Sequence, residues 1–148
     1  MPNLLRDCGS GRESDFVNRR CVKTPDVAAY NVLAANSGQT HFVPNLTATC
    51  TFALPAVADG LEFSFVYRGG AADAQNWIIA TGSATNFYIG GVTWSAAAAN
   101  VAVFSDGVND QNMTIVTPSG GTRVNLTCDG LNWFVDGQVM SVTTPAFA

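Results

Sequence analysis

From residue 47 onward, apolar and polar positions mostly alternate with a period of two, which suits half-buried strands and not helices. The clearest run is 124–137, VNLTCDGLNWFVDG. If Asp129-Gly130 forms a two-residue type I′ loop, Cys128 faces Leu131, Leu126 faces Trp133 and Val124 faces Val135, all on one face. The other face then pairs Thr127 with Asn132, Asn125 with Phe134, and Arg123 with Asp136. Opposite charges across a strand pair contribute a few tenths to about 1 kcal/mol. A one-residue slip would turn the whole apolar set to water. A related run, 50–67, CTFALPAVADGLEFSFVY, repeats the order: alternating apolar residues, Asp-Gly, Leu, then aromatics. The chain is therefore expected to be built from β-hairpins.

The same reading places further strands at 40–43, 77–81, 87–89, 92–94, 101–104, 113–116 and 139–143. Gly90-Gly91, Asp106-Gly107, Ser119-Gly120-Gly121 and Asp136-Gly137 punctuate them. Residues 27–34 suit either a strand or a short helix. The alanines at 96–99 are too few to sustain a helix. About ten short strands with regular turns predict an all-β fold, a single antiparallel β-sandwich or barrel over 27–148.

Residues 1–26 lack this periodicity and are read as an extended N-terminal arm. They hold five of the seven basic residues, Arg6, Arg12, Arg19, Arg20 and Lys23, and four of the eleven acidic ones. The body keeps two basic against seven acidic side chains, a net of −5. The segment is either a frayed, solvated terminus or an arm that orders against a partner. Five cations and the apolar anchors Leu4, Leu5 and Phe16 favour the arm.

A net charge of −4 argues against sequence-independent nucleic-acid binding, which needs clustered cations. The start of the chain carries no apolar run of signal-peptide type. The apolar stretch 90–104 is interrupted by Thr93, Ser95 and Asn100 and falls short of the roughly 20 residues a helix needs to span a bilayer. No nucleic-acid or membrane partner is expected.

Candidate chemistry is sparse. His41 is the only histidine, which rules out a histidine-based metal site. A Ser-His-Asp triad around it would lack any supporting motif such as Gly-x-Ser-x-Gly. The glycine pairs are not followed by Gly-Lys-Ser/Thr, so no phosphate loop is indicated. Asp59, Asp106, Asp129 and Asp136 each precede a glycine and are explained by turns, and Glu62 by an outward strand position. No catalytic, cofactor-binding or metal-binding residue is assigned, and the chain is not expected to be an enzyme. Cys8, Cys21, Cys50 and Cys128 are too widely spaced for a zinc site. Cys50 and Cys128 are read as buried thiols, with a disulfide as the alternative in an oxidising compartment, and Cys8 could pair with Cys21. The Asn-x-Thr sequons at Asn45, Asn112 and Asn125 are read as chance in an Asn- and Thr-rich chain. Trp77, Trp94 and Trp133 are read as core, with a sugar-stacking platform as the alternative for the first two.

Leu54-Pro55, the run 60–66 (GLEFSFV), Trp77-Ile78-Ile79 and the run 126–134 (LTCDGLNWF) together carry a resemblance. Over roughly 38–140 the chain resembles a small β-domain of tailed-bacteriophage virion proteins, found in capsid decoration (cement) proteins and in tail-fibre or spike proteins. The resemblance implies assembly and carries over no catalytic residue. A lone small domain with a terminal arm resembles the decoration subtype. That implies a homotrimer on the outer capsid surface, made in the host cytoplasm, with the major capsid protein as partner. The expected capsid-contact arm is Leu4, Leu5, Arg6, Arg12, Phe16, Arg19, Arg20 and Lys23. The alternative is a fibre or spike module that binds a host receptor or glycan.

Overall fold

The computed structural model describes residues 21–148 and, before them, only the backbone of Leu5–Arg6 and Glu13–Ser14. Strands β1 (Leu5–Arg6) and β2 (Glu13–Ser14) pair antiparallel with each other. The body runs through β3 (Cys21–Lys23), β4 (Ala29–Asn31), a 3-10 turn at Ala34–Asn36, β5 (Gln39–Val43), β6 (Cys50–Ala53) and β7 (Asp59–Tyr67). It continues through β8 (Trp77–Ala80), β9 (Tyr88–Ala96), β10 (Ala99–Phe104), β11 (Asn112–Ile115), β12 (Arg123–Asp129), β13 (Trp133–Met140) and β14 (Ala146–Phe147).

These strands form a β-sandwich. One sheet has seven strands in the order β10-β9-β13-β12-β7-β5-β3, and the other has five in the order β14-β11-β8-β6-β4. The alternation read from the sequence sets the inward faces. His41, Val43, Phe63, Phe65, Val124, Leu126, Trp133 and Val135 of the larger sheet are buried against Cys50, Phe52, Trp77, Ile79, Met113 and Ile115 of the smaller one. Phe52 bridges the layers, with its ring centroid 5.3 Å from Phe65 and 6.0 Å from Trp77. Burying an aromatic or branched side chain of this size stabilises by about 1.5–3 kcal/mol each, so the two facing rows hold the layers together.

The sheets are mixed and not purely antiparallel. β3 with β5, β5 with β7, and β9 with β13 run parallel in the larger sheet, as do β4 with β6 and β6 with β8 in the smaller. Parallel neighbours require the chain to leave one sheet and return, and the two similar runs show how. The run 124–137 stays in one sheet as the β12–β13 hairpin. The run 50–67 instead crosses from β6 in the smaller sheet to β7 in the larger one, so it is not a hairpin.

The hairpin register also differs from the expected one. Cys128 pairs with Trp133, Leu126 with Val135, Asn125 with Asp136, and Arg123 with Gln138. The loop therefore has four residues and not two. Oδ1 of Asp129 accepts the backbone N–H groups of Leu131 at 2.9 Å and Asn132 at 2.7 Å, and the Asp129 N–H donates to the Asn132 carbonyl at 3.3 Å. An Asx side chain that satisfies two loop donors favours the longer turn. A shift of two residues keeps every side chain on its own face, so the core is unaffected. Only Leu131 leaves the sheet, and it is 68% exposed.

Two expected turns are strand interiors. β9 runs through Gly90-Gly91 and β13 through Asp136-Gly137. Gly137 has φ +149°, and a Cβ there would lie 2.2 Å from the carbonyl oxygen of Arg123 on β12. Its glycine serves close approach within the sheet and not a turn. Asp136 is therefore not a turn residue, whereas Asp59-Gly60, at the start of β7, does turn: the Leu61 N–H donates to the Ala58 carbonyl at 3.3 Å and Gly60 has φ +79°.

Candidate interaction surface

The outward face of the larger sheet carries a polar row. Thr40, Ser64, Asn125 and Asp136 are successive cross-strand neighbours on β5, β7, β12 and β13. The Ser64 hydroxyl donates to Asn125 Oδ1 at 2.8 Å, and Asn125 Nδ2 donates to Asp136 Oδ1 at 2.7 Å. With Gly38, Glu62 and Thr127 these residues line a shallow depression of about 330 Å³. The row pins strand register and leaves carboxylates facing water. Among the described residues no group of three His, Cys, Asp or Glu side chains could hold a metal ion.

His41 faces the opposite way, into the core, and is fully buried. Neither ring nitrogen has a hydrogen-bond partner, so no catalytic triad is assembled around it among the described residues. Burial holds its imidazole below the ordinary value, and polar contact with the backbone of Gln39 and Ser64 offsets this only in part. Trp77 and Trp133 are also fully buried. Trp94 packs against the core and donates its Nε1–H to the carbonyl and hydroxyl oxygens of Ser141 at 3.0 and 3.1 Å. Trp77 and Trp94 therefore form no shared sugar-stacking platform. Cys50 and Cys128 are buried free thiols, as read from the sequence. Burial, with a smaller effect from the charge of Asp26, pushes the Cys50 thiol up to about 11. Cys21 is disulfide-bonded.

The expected contact arm is placed only in part. Lys23 is exposed on β3, an edge strand of the larger sheet hydrogen-bonded to β5. Leu5 and Arg6 lie in β1. Leu4, Arg12, Phe16, Arg19 and Arg20 lie outside the described residues. The strand β3 falls within the segment read as an arm, and Thr24 after it is buried, its hydroxyl bonded to the Phe42 carbonyl at 3.1 Å. The body's sheet thus begins at Cys21.

At the opposite edge of the same sheet stands β10. Phe104 on it is 70% exposed and Val101 48%, and Val108 follows at 60%. Sequence reasoning identified 101–104 as a strand but not as an edge. A signal was present: no charged residue stands between Asp73 and Asp106. No family model matches the chain, and no curated protein is similar to it.

Proposed function

We propose that the chain is a bacteriophage capsid decoration protein that binds the outer surface of the major capsid protein lattice and stabilises the head, as a homotrimer. The observation that supports this reading best is the set of large apolar side chains on the surface of the body, where Phe104, Val108, Leu131, Phe134 and Val142 are exposed. Exposed apolar side chains suit docking on a protein lattice where they gather into a patch, as Phe104 and Val101 do on β10 with Val108 close behind. Of the motif segments that carry the phage resemblance, Leu54-Pro55 lies between β6 and β7, and the others lie in β7, β8, β12 and β13 with the hairpin loop between the last two, so most of the resemblance falls on the middle strands of the two sheets. The basic leader leaves the body at the β3 edge, and many such arms on a repeating lattice raise avidity without new contacts.

The receptor- or glycan-binding alternative rested on Trp77 and Trp94, and their burial and packing leave it without a platform. The test is deletion of residues 1–20, which spares β3, followed by measurement of occupancy on purified capsids. Loss of binding is expected relative to a full-chain Cys21→Ser control, because with Cys50 and Cys128 both free the deletion also removes the Cys21 disulfide, which by itself lowers the melting temperature. Undiminished occupancy would overturn the arm, and a copy number of only a few per virion would overturn decoration itself.

A further inference from the structure

The two body sheets have four edges, and they are not alike. β3 and β4 are three residues long and β14 two, whereas β10 is six. Short edges offer little template for another strand, and proteins otherwise protect long ones with charge, proline or a bulge. The β10 sequence, Ala-Asn-Val-Ala-Val-Phe, has none of these, and its pairing with β9 is regular throughout.

The register shows which groups are free. Ser105 donates its N–H to the Gly90 carbonyl at 2.9 Å, and pairing steps regularly from Phe104 with Gly91 to Ala99 with Ala96. Antiparallel pairs alternate between bonded and non-bonded. Val103, Val101 and Ala99 therefore face their hydrogen bonds toward β9, while Asn100, Ala102 and Phe104 direct theirs away from the sheet.

We infer that β10 is a docking edge for β10 of a second copy of this chain, paired antiparallel about a two-fold axis through Ala102. This register is self-complementary. Ala102 meets Ala102, a residue small enough to sit on the axis. Asn100 meets Phe104, and Val101 meets Val103, a β-branched pair of the kind that stabilises a sheet. Each copy donates through the N–H groups of Asn100, Ala102 and Phe104 and accepts through the same three carbonyls. β10 itself brings no charge to its copy, since none occurs from Ala74 to Ser105; carboxylates stand beside the edge, at Asp106 two residues past Phe104 and at Asp136, which lines a depression with Ala102 and Phe104. The neighbouring Phe104 and Val101 lose exposure in the pairing, which a different, charged strand would not provide equally. One six-residue strand pair buries less than the roughly 1,600 Å² of a standard stable interface, so the association is concentration-dependent. A two-fold contact closes no trimer; it links copies seated at neighbouring positions, and it stands whether or not the chain decorates a capsid.

The test uses the purified full chain without capsids. Sedimentation of the parent across a concentration series is expected to show its weight-average mass doubling. Ala102→Lys places two cations on the axis, and Ala102→Pro removes an N–H that bonds nothing within the chain. Both are expected to abolish the doubling while circular dichroism and melting stay as in the parent; if the proline variant fails to fold, the lysine variant decides. Ala102→Cys is expected to cross-link under mild oxidation, because directly opposed Cα atoms in a bonded pair lie about 5.5 Å apart, within disulfide reach. Asn100→Cys is the register control, its two copies lying about 14 Å apart along the strands, and it is expected not to cross-link above the parent. A parent whose mass never rises, lysine-variant association equal to the parent's, or equal cross-linking at 100 and 102 would each overturn the inference. So would a doubling that requires residues 1–20 and leaves Ala102→Cys unlinked, since the occupant would then be the leader.

Discussion

The imidazole of His41 stacks on the ring of Phe65, with centroids 5.1 Å apart and planes inclined by 27°. Tyr30 and Phe63 close on it edge-on at 6.2 and 5.8 Å, and neither nitrogen finds a hydrogen-bond partner. The ring is held as a neutral aromatic in the core, next to the β3 edge where the basic leader joins the body.

This placement predicts acid sensitivity. The folded pKa is lowered from 6.5 by burial, so the unfolded chain binds this proton first. The stability of the neutral state is complete above the unfolded value and declines as pH falls below about 6.5 toward the depressed folded value. The melting temperature is expected to fall between pH 7 and pH 5, and His41→Phe is expected to flatten that slope. Because replacing an unpaired buried polar group by an apolar one of similar shape is near neutral or stabilising, the variant should match or exceed the parent at pH 7. Equal slopes in the two proteins would refute this assignment.

Asp129 governs the hairpin loop. Its carboxylate accepts from Asn132 and Leu131, and these two hydrogen bonds hold its pKa below the ordinary value. That contribution is present above the unfolded value of 3.8 and is lost as pH falls through the lower folded one. Asp129→Ala is therefore expected to melt at a lower temperature than the parent at pH 7, with the gap closing as pH falls below 3.8 and through the lower folded value. Asp129→Asn, which keeps one acceptor oxygen, should lie between them.

Two glycines should respond in opposite ways. An alanine at 137 would place Cβ 2.2 Å from the Arg123 carbonyl oxygen, at a φ of +149°. Overpacking against backbone together with strained φ predicts a loss of about 3 kcal/mol in urea unfolding. At Gly70 nothing lies within 4 Å of an added Cβ. Gly70→Ala is expected to shift stability by less than about 0.5 kcal/mol. A mild effect at 137 would mean that β12 and β13 separate there.

The interaction surface was legible only in its parts. The leader stands out in the sequence by its charge, and 101–104 by its β-branched residues. That residues 21–23, at the end of the leader, and residues 101–104 lie at opposite edges of one sheet depends on the parallel crossings, which place β3 and β10 at the two ends of a seven-strand order. No local signal encodes that order. Asp136 is the converse case: Asp-Gly reads as a turn, yet β13 runs straight through it because Gly137 lets β12 approach closely.

The sequence by itself determined which side chains face inward. Alternation has a period of two, and each of Val124, Leu126, Cys128, Trp133 and Val135 is buried where that parity puts it. Parity cannot distinguish one register from another two residues away, so the four-residue loop at Asp129 was decided by loop hydrogen bonds. Nor can it choose a strand's neighbour, since parallel and antiparallel partners present the same alternating faces. The tertiary structure made both choices, and with them it left β10 as the one long, uncharged edge among the described residues.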